Sequence, residues 1–315
     1  MAVYTHVAAE TLAAFLTRFD IGTLVSAKGI AEGVENSNYM LDTTGGRYFL
    51  TLYEKRVAED DLPFFEALLA HLGARGLPVP RFIPDRAGAT VHRLANRPAA
   101  LIEFLPGVSV SHPTPAQAQA VGAAMAAMHA ALADFTPTRA NTLGVAGWRP
   151  LLERCGRDLD AIEPGLFDHV AAALDTVEQA WPATLPITAI HADLFPDNVL
   201  MLDDKVTGLI DFYFACTDLR AYDVAVLHGS WAFDATGTQH DAAVGRALLA
   251  GYGDALLPSE RAALPVLAQG ASIRFLLTRA WDWLNTPADA LVTRKDPLAY
   301  RRRLDWYAAH PDAFR

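Results

Sequence analysis

The stretch that most constrains this chain is HADLFPDNVLMLDDKVTGLIDFYFA, running from His191 to Ala215. It sets Asp193, Asn198 and Asp211 among Val199, Leu200, Met201, Leu209, Ile210 and Phe212. Carboxylates lodged between apolar residues are costly to desolvate unless they are paired or hold a ligand. Read as a β-hairpin turning at Asp204-Lys205, the segment NVLMLDDKVTGLID puts Asn198 and Asp211 at equal distances from the turn. They become cross-strand neighbours, with Cβ atoms roughly 4.5–5.5 Å apart. An amide oxygen and a carboxylate so placed suit Mg²⁺, a hard cation that keeps several waters and few protein ligands when it binds nucleotide phosphates. Asp193 lies in the loop that enters the hairpin, where a carboxylate can accept a proton from an attacking hydroxyl.

Two other readings compete with this one. Asp193 can cap a turn, Asn198 occupy a tight backbone position and Asp211 end a strand, each without chemistry. Alternatively, His191 and Asp193 form an iron-binding His-x-Asp pair with His228 as third ligand. Such sites belong to double-stranded β-helices, and the helical pattern downstream disfavours them. His191 reads better as a structural histidine bracing the loop.

The rest of the chain divides in character. Leu12, Phe15, Leu16 and Phe19 mark one face of an opening helix. Thr44-Gly45-Gly46 between NYMLD and RYFLTLY signals a hairpin. Phe65, Leu68, Leu69 and Leu72 predict a helix from Asp61 to Arg75, stopped by Gly76. LPVPRFI and PAALIEFLPG read as further strands. Thr114–Gln117 is a capping box with Pro115 at the first helical position, opening a helix with Val121, Met125, Met128 and Leu132 on one face. His129, beside that face, reads as a satisfied core histidine. We therefore expect an α+β, two-lobed protein: a β-rich N-lobe over residues 1–105 and a mainly helical C-lobe over 106–315.

Composition narrows the partners. The chain has 315 residues, 52% hydrophobic and 20% charged, which supports a sizeable core. Its 26 basic residues against 36 acidic ones give a formal charge of −10. That balance argues against a nucleic-acid or anionic-membrane surface. Two isolated cysteines, Cys155 and Cys216, imply neither a zinc ribbon nor a disulfide framework and fit a cytoplasmic location. The longest apolar run, VGAAMAAMHAALA, is too short to span a membrane.

An Asp that orients a nucleophile, an Asn further along its loop and an Asp from the next strand form the phosphoryl-transfer arrangement of the protein-kinase fold. HADLFPDNVL followed by GLIDF resembles the aminoglycoside phosphotransferase and choline kinase superfamily, which has that fold. KGIAEGVENSNYML, LTLYEKR, DLPFFEALLAHL, GWRPL, LIDFYFACTD, AYDVA, RALLAGY and RFLLTRAWDWLNTP resemble its bacterial homoserine kinase branch, along nearly the whole chain. The resemblance implies ATP-dependent phosphorylation of L-homoserine in threonine biosynthesis. It implies Asp193 as base, Asn198 and Asp211 on Mg²⁺, and backbone groups near Glu103 and Leu105 at the adenine. It also implies a phosphate-covering loop containing Gly33, Asn36, Ser37 and Asn38. A kinase for an amino alcohol or aminoglycoside, or a nucleotide-binding pseudokinase, are the alternatives.

Two departures stand out. The strand lysine of such kinases belongs near Thr51, where none is present; Lys55 and Lys28 are the nearby cations. Glu66 matches the acid that would pair with it, and serves either another partner or solvent. Tyr213 replaces a glycine after Asp211-Phe212 and either lines the acceptor pocket or joins the core. An amino-acid substrate needs a cation for its carboxylate. Arg274 and Arg279 both lie on the helix ASIRFLLTRAWDWL, and Arg274 is the choice here, against a salt-bridge role. Asp218 and Asp223 either meet the ammonium or brace the loop, bracing being the reading for Asp223. The run RRRLDWY reads as a solvated helix face.

Overall fold

The computed structural model describes residues 5–30, 36–54, 57–286 and 294–314. The chain forms two compact units, Met1–Pro106 and Gly107–Arg315.

In the first unit, α1 (Ala9–Leu16) precedes β1 (Leu24–Ile30), β2 (Asn36–Thr43) and β3 (Gly46–Tyr53). Helix α2 (Leu62–Ala74) follows, then β4 (Val91–Leu94) and β5 (Arg97–Glu103). The strands make an antiparallel sheet in the order β1-β2-β3-β5-β4. Leu12, Phe15, Leu16 and Phe19 are buried against Leu41, Leu50, Leu52 and Leu101, so the apolar stripe of the first helix closes one sheet face. Thr43 pairs with Gly46 around the Thr44-Gly45 turn, as the glycines predict. A Cβ on Gly45 would lie 2.5 Å from the Ile21 carbonyl oxygen, which explains a glycine there.

One strand expectation changes, and one strand was not foreseen. LPVPRFI is extended but makes only one bridge, Phe82 to Ile102; Pro78 and Pro80 lack the N–H a ladder needs. The strand β4 carried no glycine signal, because its turn uses Ala95 and Asn96 at φ 49° and 61°.

In the second unit, α3 (Pro115–Ala131) begins with the complete Thr114/Gln117 capping box. Then come α4 (Val145–Cys155), α5 (Leu166–Ala180), β6 (Ile187–Ile190), β7 (Val199–Leu202), β8 (Lys205–Leu209) and β9 (Cys216–Leu219). Helices α6 (Arg220–Trp231), α7 (Ala242–Tyr252), α8 (Pro258–Asn285) and α9 (Leu298–Ala309) complete it. Strand β6 pairs with β9 and β7 with β8. Every residue of α6 from Ala221 to Trp231 is buried, making it the axle of the unit. Helix α8 packs on α6, α9, α4 and α5, and α3 packs on α7. A Cβ at Gly122 would lie 2.1 Å from the Leu248 carbonyl and one at Gly251 2.0 Å from that of Gln119, so α3 and α7 meet backbone to backbone. No helix among the described residues is long and apolar enough to cross a membrane.

The run RRRLDWY is not simply a solvated face. Arg303, Leu304 and Tyr307 are buried on the inner side of α9. Arg303 stacks 4.3 Å from the Tyr300 ring centre and donates to the Asp234 carbonyl at 2.8 Å. Aromatic faces and a backbone acceptor let a guanidinium lie inside the unit.

Candidate active site

The loop between β6 and β7 carries His191, Asp193 and Asn198, and nearly every polar group along it is anchored. The Asp223 carboxylate, fully buried on α6, accepts the backbone N–H of His191 at 2.9 Å and of Ala192 at 2.7 Å. It also lies 3.0 Å from His129 Nε2, whose other ring nitrogen is 2.8 Å from the Tyr252 hydroxyl. An ionised carboxylate only accepts, so His129 Nε2 carries the proton and Nδ1 takes the tyrosine O–H. Burial alone would raise the Asp223 carboxyl. The hydrogen bond from His129, together with the one from the His191 N–H, outweighs burial and holds it below the usual carboxylate range.

Ala192 sits at φ 62°, a left-handed conformation rare outside glycine. Its N–H goes to Asp223, and its carbonyl accepts Arg274 Nη1 at 2.5 Å. Trp231 Nε1 donates to the Leu194 carbonyl at 3.0 Å. His191, fully buried, lies with Nε2 2.9 Å from the Ile210 carbonyl and Nδ1 accepting the Asp193 N–H at 3.3 Å. The loop is thus clamped from helix α6, from helix α8 and from the strand beside it. A strained residue persists where the surroundings over-determine it.

Asn198 is buried and aims its amide nitrogen at Asp193, 2.8 Å from the carbonyl and 3.2 Å from Oδ2. The Asn198 side-chain oxygen accepts no hydrogen bond among the described residues. Asp211 is exposed and holds φ 64°, ψ 57°, so the chain turns out of the hairpin at this residue. Burial pushes the half-buried Asp193 carboxyl up to about 8; the Arg274 charge opposes that rise and the Asp211 charge adds to it. Asp193, Asn198 and Asp211 therefore gather in one place.

Their register differs from the symmetric hairpin. The turn falls at Asp203-Asp204, with Leu202 opposite Lys205, and a bulge between Leu200 and Met201 shifts the ladder by one. Asn198 consequently faces Ile210, whose N–H reaches the Asn198 carbonyl at 3.0 Å. Asp211 comes one residue later, redirected by its left-handed backbone.

An amide oxygen without a protein partner beside two mutually repelling carboxylates is a donor set for a hard cation such as Mg²⁺. No cluster of three or more His, Cys, Asp or Glu side chains forms a metal site among the described residues. His191 has both ring nitrogens engaged in the loop, and His228 binds the Tyr307 hydroxyl at 2.7 Å. The iron reading therefore fails.

Arg274 is buried beneath Phe214 and Phe275, 5.5 and 4.5 Å from their ring centres, with Nη1 committed to Ala192. It sits under the loop, in place of the substrate-reaching position expected for it. Tyr213 is half-buried in a single helical turn, Phe212–Phe214. Asp218 accepts Asn141 Nδ2 at 2.6 Å.

In the first unit, Ser37 donates to Glu54 at 2.6 Å, Asn36 accepts the Glu54 N–H at 3.4 Å, and Thr51 donates to Asn38 at 2.8 Å. These side chains are committed within the sheet. Gly33 and Lys55 lie outside the described residues. Lys28 is exposed on β1. Glu66 is half-buried on α2, makes no ion pair among the described residues, and lines a cavity of about 310 Å³ with Ala70, Arg81 and Thr90. Arg81 grips Glu103 through two 2.8 Å bonds, and its carbonyl takes the Glu103 N–H at 2.9 Å. Sequence reasoning did not single out Glu54, a buried carboxylate 3.1 Å from Arg97; nothing in its local pattern distinguishes it.

The profile of the phosphotransferase enzyme family matches residues 26–264, so the chain belongs to that family. Its fold is shared with an amicoumacin kinase solved with AMP-PNP, Ca²⁺ and Ami, at TM-score 0.74 and 15% identity over 97% of this chain and 95% of that one. A spectinomycin phosphotransferase solved with ADP and spectinomycin gives TM-score 0.73 and 14% identity over 98% and 100%. Within the family, the chain is 55% identical over 312 residues to the homoserine kinase of Xanthobacter autotrophicus, covering 98% of this chain and 97% of that protein. It is 56% identical over 310 residues to the homoserine kinase of Acidiphilium cryptum, covering 98% and 97%. By that near-full-length likeness it belongs with the homoserine kinases.

Proposed function

We propose that this chain transfers the γ-phosphoryl group of ATP to the side-chain hydroxyl of L-homoserine, giving O-phospho-L-homoserine for threonine biosynthesis. The observation that carries this reading is the identity with homoserine kinases across both units. The loop geometry supplies its chemistry. Asp193 takes the hydroxyl proton as the substrate oxygen bonds to the γ-phosphorus and the bond to the bridging oxygen breaks, releasing ADP. Asn198 and Asp211 hold Mg²⁺, which when bound offsets charge on the nucleotide phosphates. Asp223, Arg274 and His191 keep the Asp193 loop in its strained shape.

In the first unit, the Glu103 N–H is already used by Arg81, whereas the backbone N–H and carbonyl of Leu105 make no hydrogen bond among the described residues. Leu105 is therefore the better adenine contact. Asn36, Ser37 and Asn38 on β2, together with Gly33, are the proposed phosphate-side residues. Thr51 cannot replace the strand lysine, since its hydroxyl serves Asn38. Cys155 and Cys216 are buried free thiols, compatible with a reducing cytoplasm.

An ADP-release assay across acceptors tests the assignment. Turnover is expected with L-homoserine, weak turnover with L-threonine and L-serine, and none with choline or kanamycin. Preference for choline or kanamycin discards the substrate.

A further inference from the structure

Three guanidiniums converge around one aromatic face of the second unit. Arg279 on α8 stands 4.6 Å from the Tyr300 ring centre, and Arg303 on α9 stands 4.3 Å from it. Tyr300 stacks on Phe275 with centroids 4.9 Å apart, and Phe275 in turn meets Phe195 of the Asp193 loop at 5.0 Å. Arg274 stands over the Phe275 ring, 4.5 Å from its centre. None of the three arginines forms an ion pair with a carboxylate among the described residues. Asp193 nonetheless lies close enough for its charge to act on Arg274, Arg279 and Tyr300.

Two of the three cations are already occupied and closed off. Arg274 and Arg303 are 2% and 3% exposed, and each donates to a backbone carbonyl, Ala192 and Asp234 respectively. Arg279 differs. It is half-buried, and among the described residues its side chain makes one hydrogen bond, a long one from Nη1 to the Asp296 carbonyl at 3.3 Å. Most of its planar donor fork is unused by the described residues. Burial depresses this guanidinium from its ordinary value, the mark of a cation lacking a close counter-charge. The Tyr300 hydroxyl beside it is buried without a partner among the described residues. A group of cations and an unsatisfied hydroxyl on one wall, with an accessible fork at its edge, lacks an anion.

We infer that Arg279 receives the carboxylate of the amino-acid acceptor, stacked on Tyr300 so that its fork meets both carboxylate oxygens. This rests on the homoserine reading and deepens it by naming the residue that separates an amino acid from an amino alcohol. A guanidinium matches a carboxylate through two parallel bonds, and a ring face fixes its plane beforehand. The acceptor hydroxyl would then be presented to Asp193 from the far end of the same short molecule.

The test pairs a variant with a truncated acceptor. Arg279→Ala and Arg279→Lys are compared with the unmodified enzyme on L-homoserine and on 3-aminopropan-1-ol, the same chain without its carboxylate, measured as acceptor and as competitor. KM for L-homoserine should rise roughly 10- to 100-fold in Arg279→Ala, with KM for ATP little changed and partial recovery in Arg279→Lys. The amino alcohol should bind all three proteins equally. An unchanged homoserine KM, or equal losses for both acceptors, overturns the inference and leaves Arg279 as a packing post for Tyr300. If the unmodified enzyme ignores homoserine but prefers another carboxylate-bearing alcohol lost on Arg279→Ala, the substrate assignment falls and the carboxylate role stands. Preference for an acceptor with no carboxylate overturns both.

Discussion

The Asp223 carboxylate accepts the Ala192 backbone N–H at 2.7 Å, while Ala192 holds a left-handed backbone angle of 62°. A buried acid on one helix thus fixes the peptide immediately before Asp193. Asp223→Asn keeps the size but replaces one acceptor oxygen by a donor, facing an N–H or the protonated His129 nitrogen. We expect a loss of about 3 kcal/mol in denaturant unfolding, as for other broken buried charge networks. Turnover should fall with little change in KM for ATP. A variant of unchanged stability and rate would show that the clamp is dispensable.

The proposed metal ligand Asp211 lies in the segment that leaves the hairpin. Asp211→Ala removes the carboxylate whose charge acts on Asp193 and leaves Asn198 alone as oxygen donor. Affinity for the magnesium–nucleotide complex should drop at low magnesium and be partly restored at high magnesium. Titration calorimetry at two magnesium concentrations reads this directly. Affinity that is indifferent to both the substitution and the metal would remove Asp211 from the site.

Stability should fall in mild acid for a reason unrelated to catalysis. Burial, then the charge of His240, pushes His228 down to about 3. Its Nδ1 meets Tyr307, and Nε2 has no partner among the described residues. Unfolded, this histidine titrates near 6.5, so below that pH the unfolded chain binds the extra proton. The contribution is intact above pH 6.5 and is lost progressively as pH falls toward the folded value, by roughly 2 kcal/mol at pH 5. Unfolding free energies of the unmodified protein and His228→Gln, measured from pH 7.5 to 5, should converge as pH falls. Parallel curves would contradict a neutral buried His228.

Much of this architecture was legible because its signals are local. The Thr114/Gln117 capping box, the Thr44-Gly45 hairpin and the apolar stripe of α1 each depend on residues a few positions apart. The three polar groups of the candidate site were legible because acids between apolar strands demand a partner. The symmetric pairing of Asn198 with Asp211 was not, since a bulge at Leu200 and Met201 depends on neighbours outside the hairpin. Helical periodicity could not decide between Arg274 and Arg279. One lies under the Asp193 loop and the other beside Tyr300, and that difference is set by where α9 docks. Arg303 escaped for the same reason: a charge run reads as solvated until aromatic rings are brought around it.

Turnover and nucleotide affinity of Asp193→Asn, measured side by side, probe the site most directly. The amide keeps the shape of the side chain and loses its capacity to take the hydroxyl proton. Turnover with L-homoserine should fall by roughly two or more orders of magnitude while nucleotide affinity holds within a few-fold. Turnover equal to that of the unmodified enzyme would contradict Asp193 as the base and, with it, the chemistry assigned to this loop.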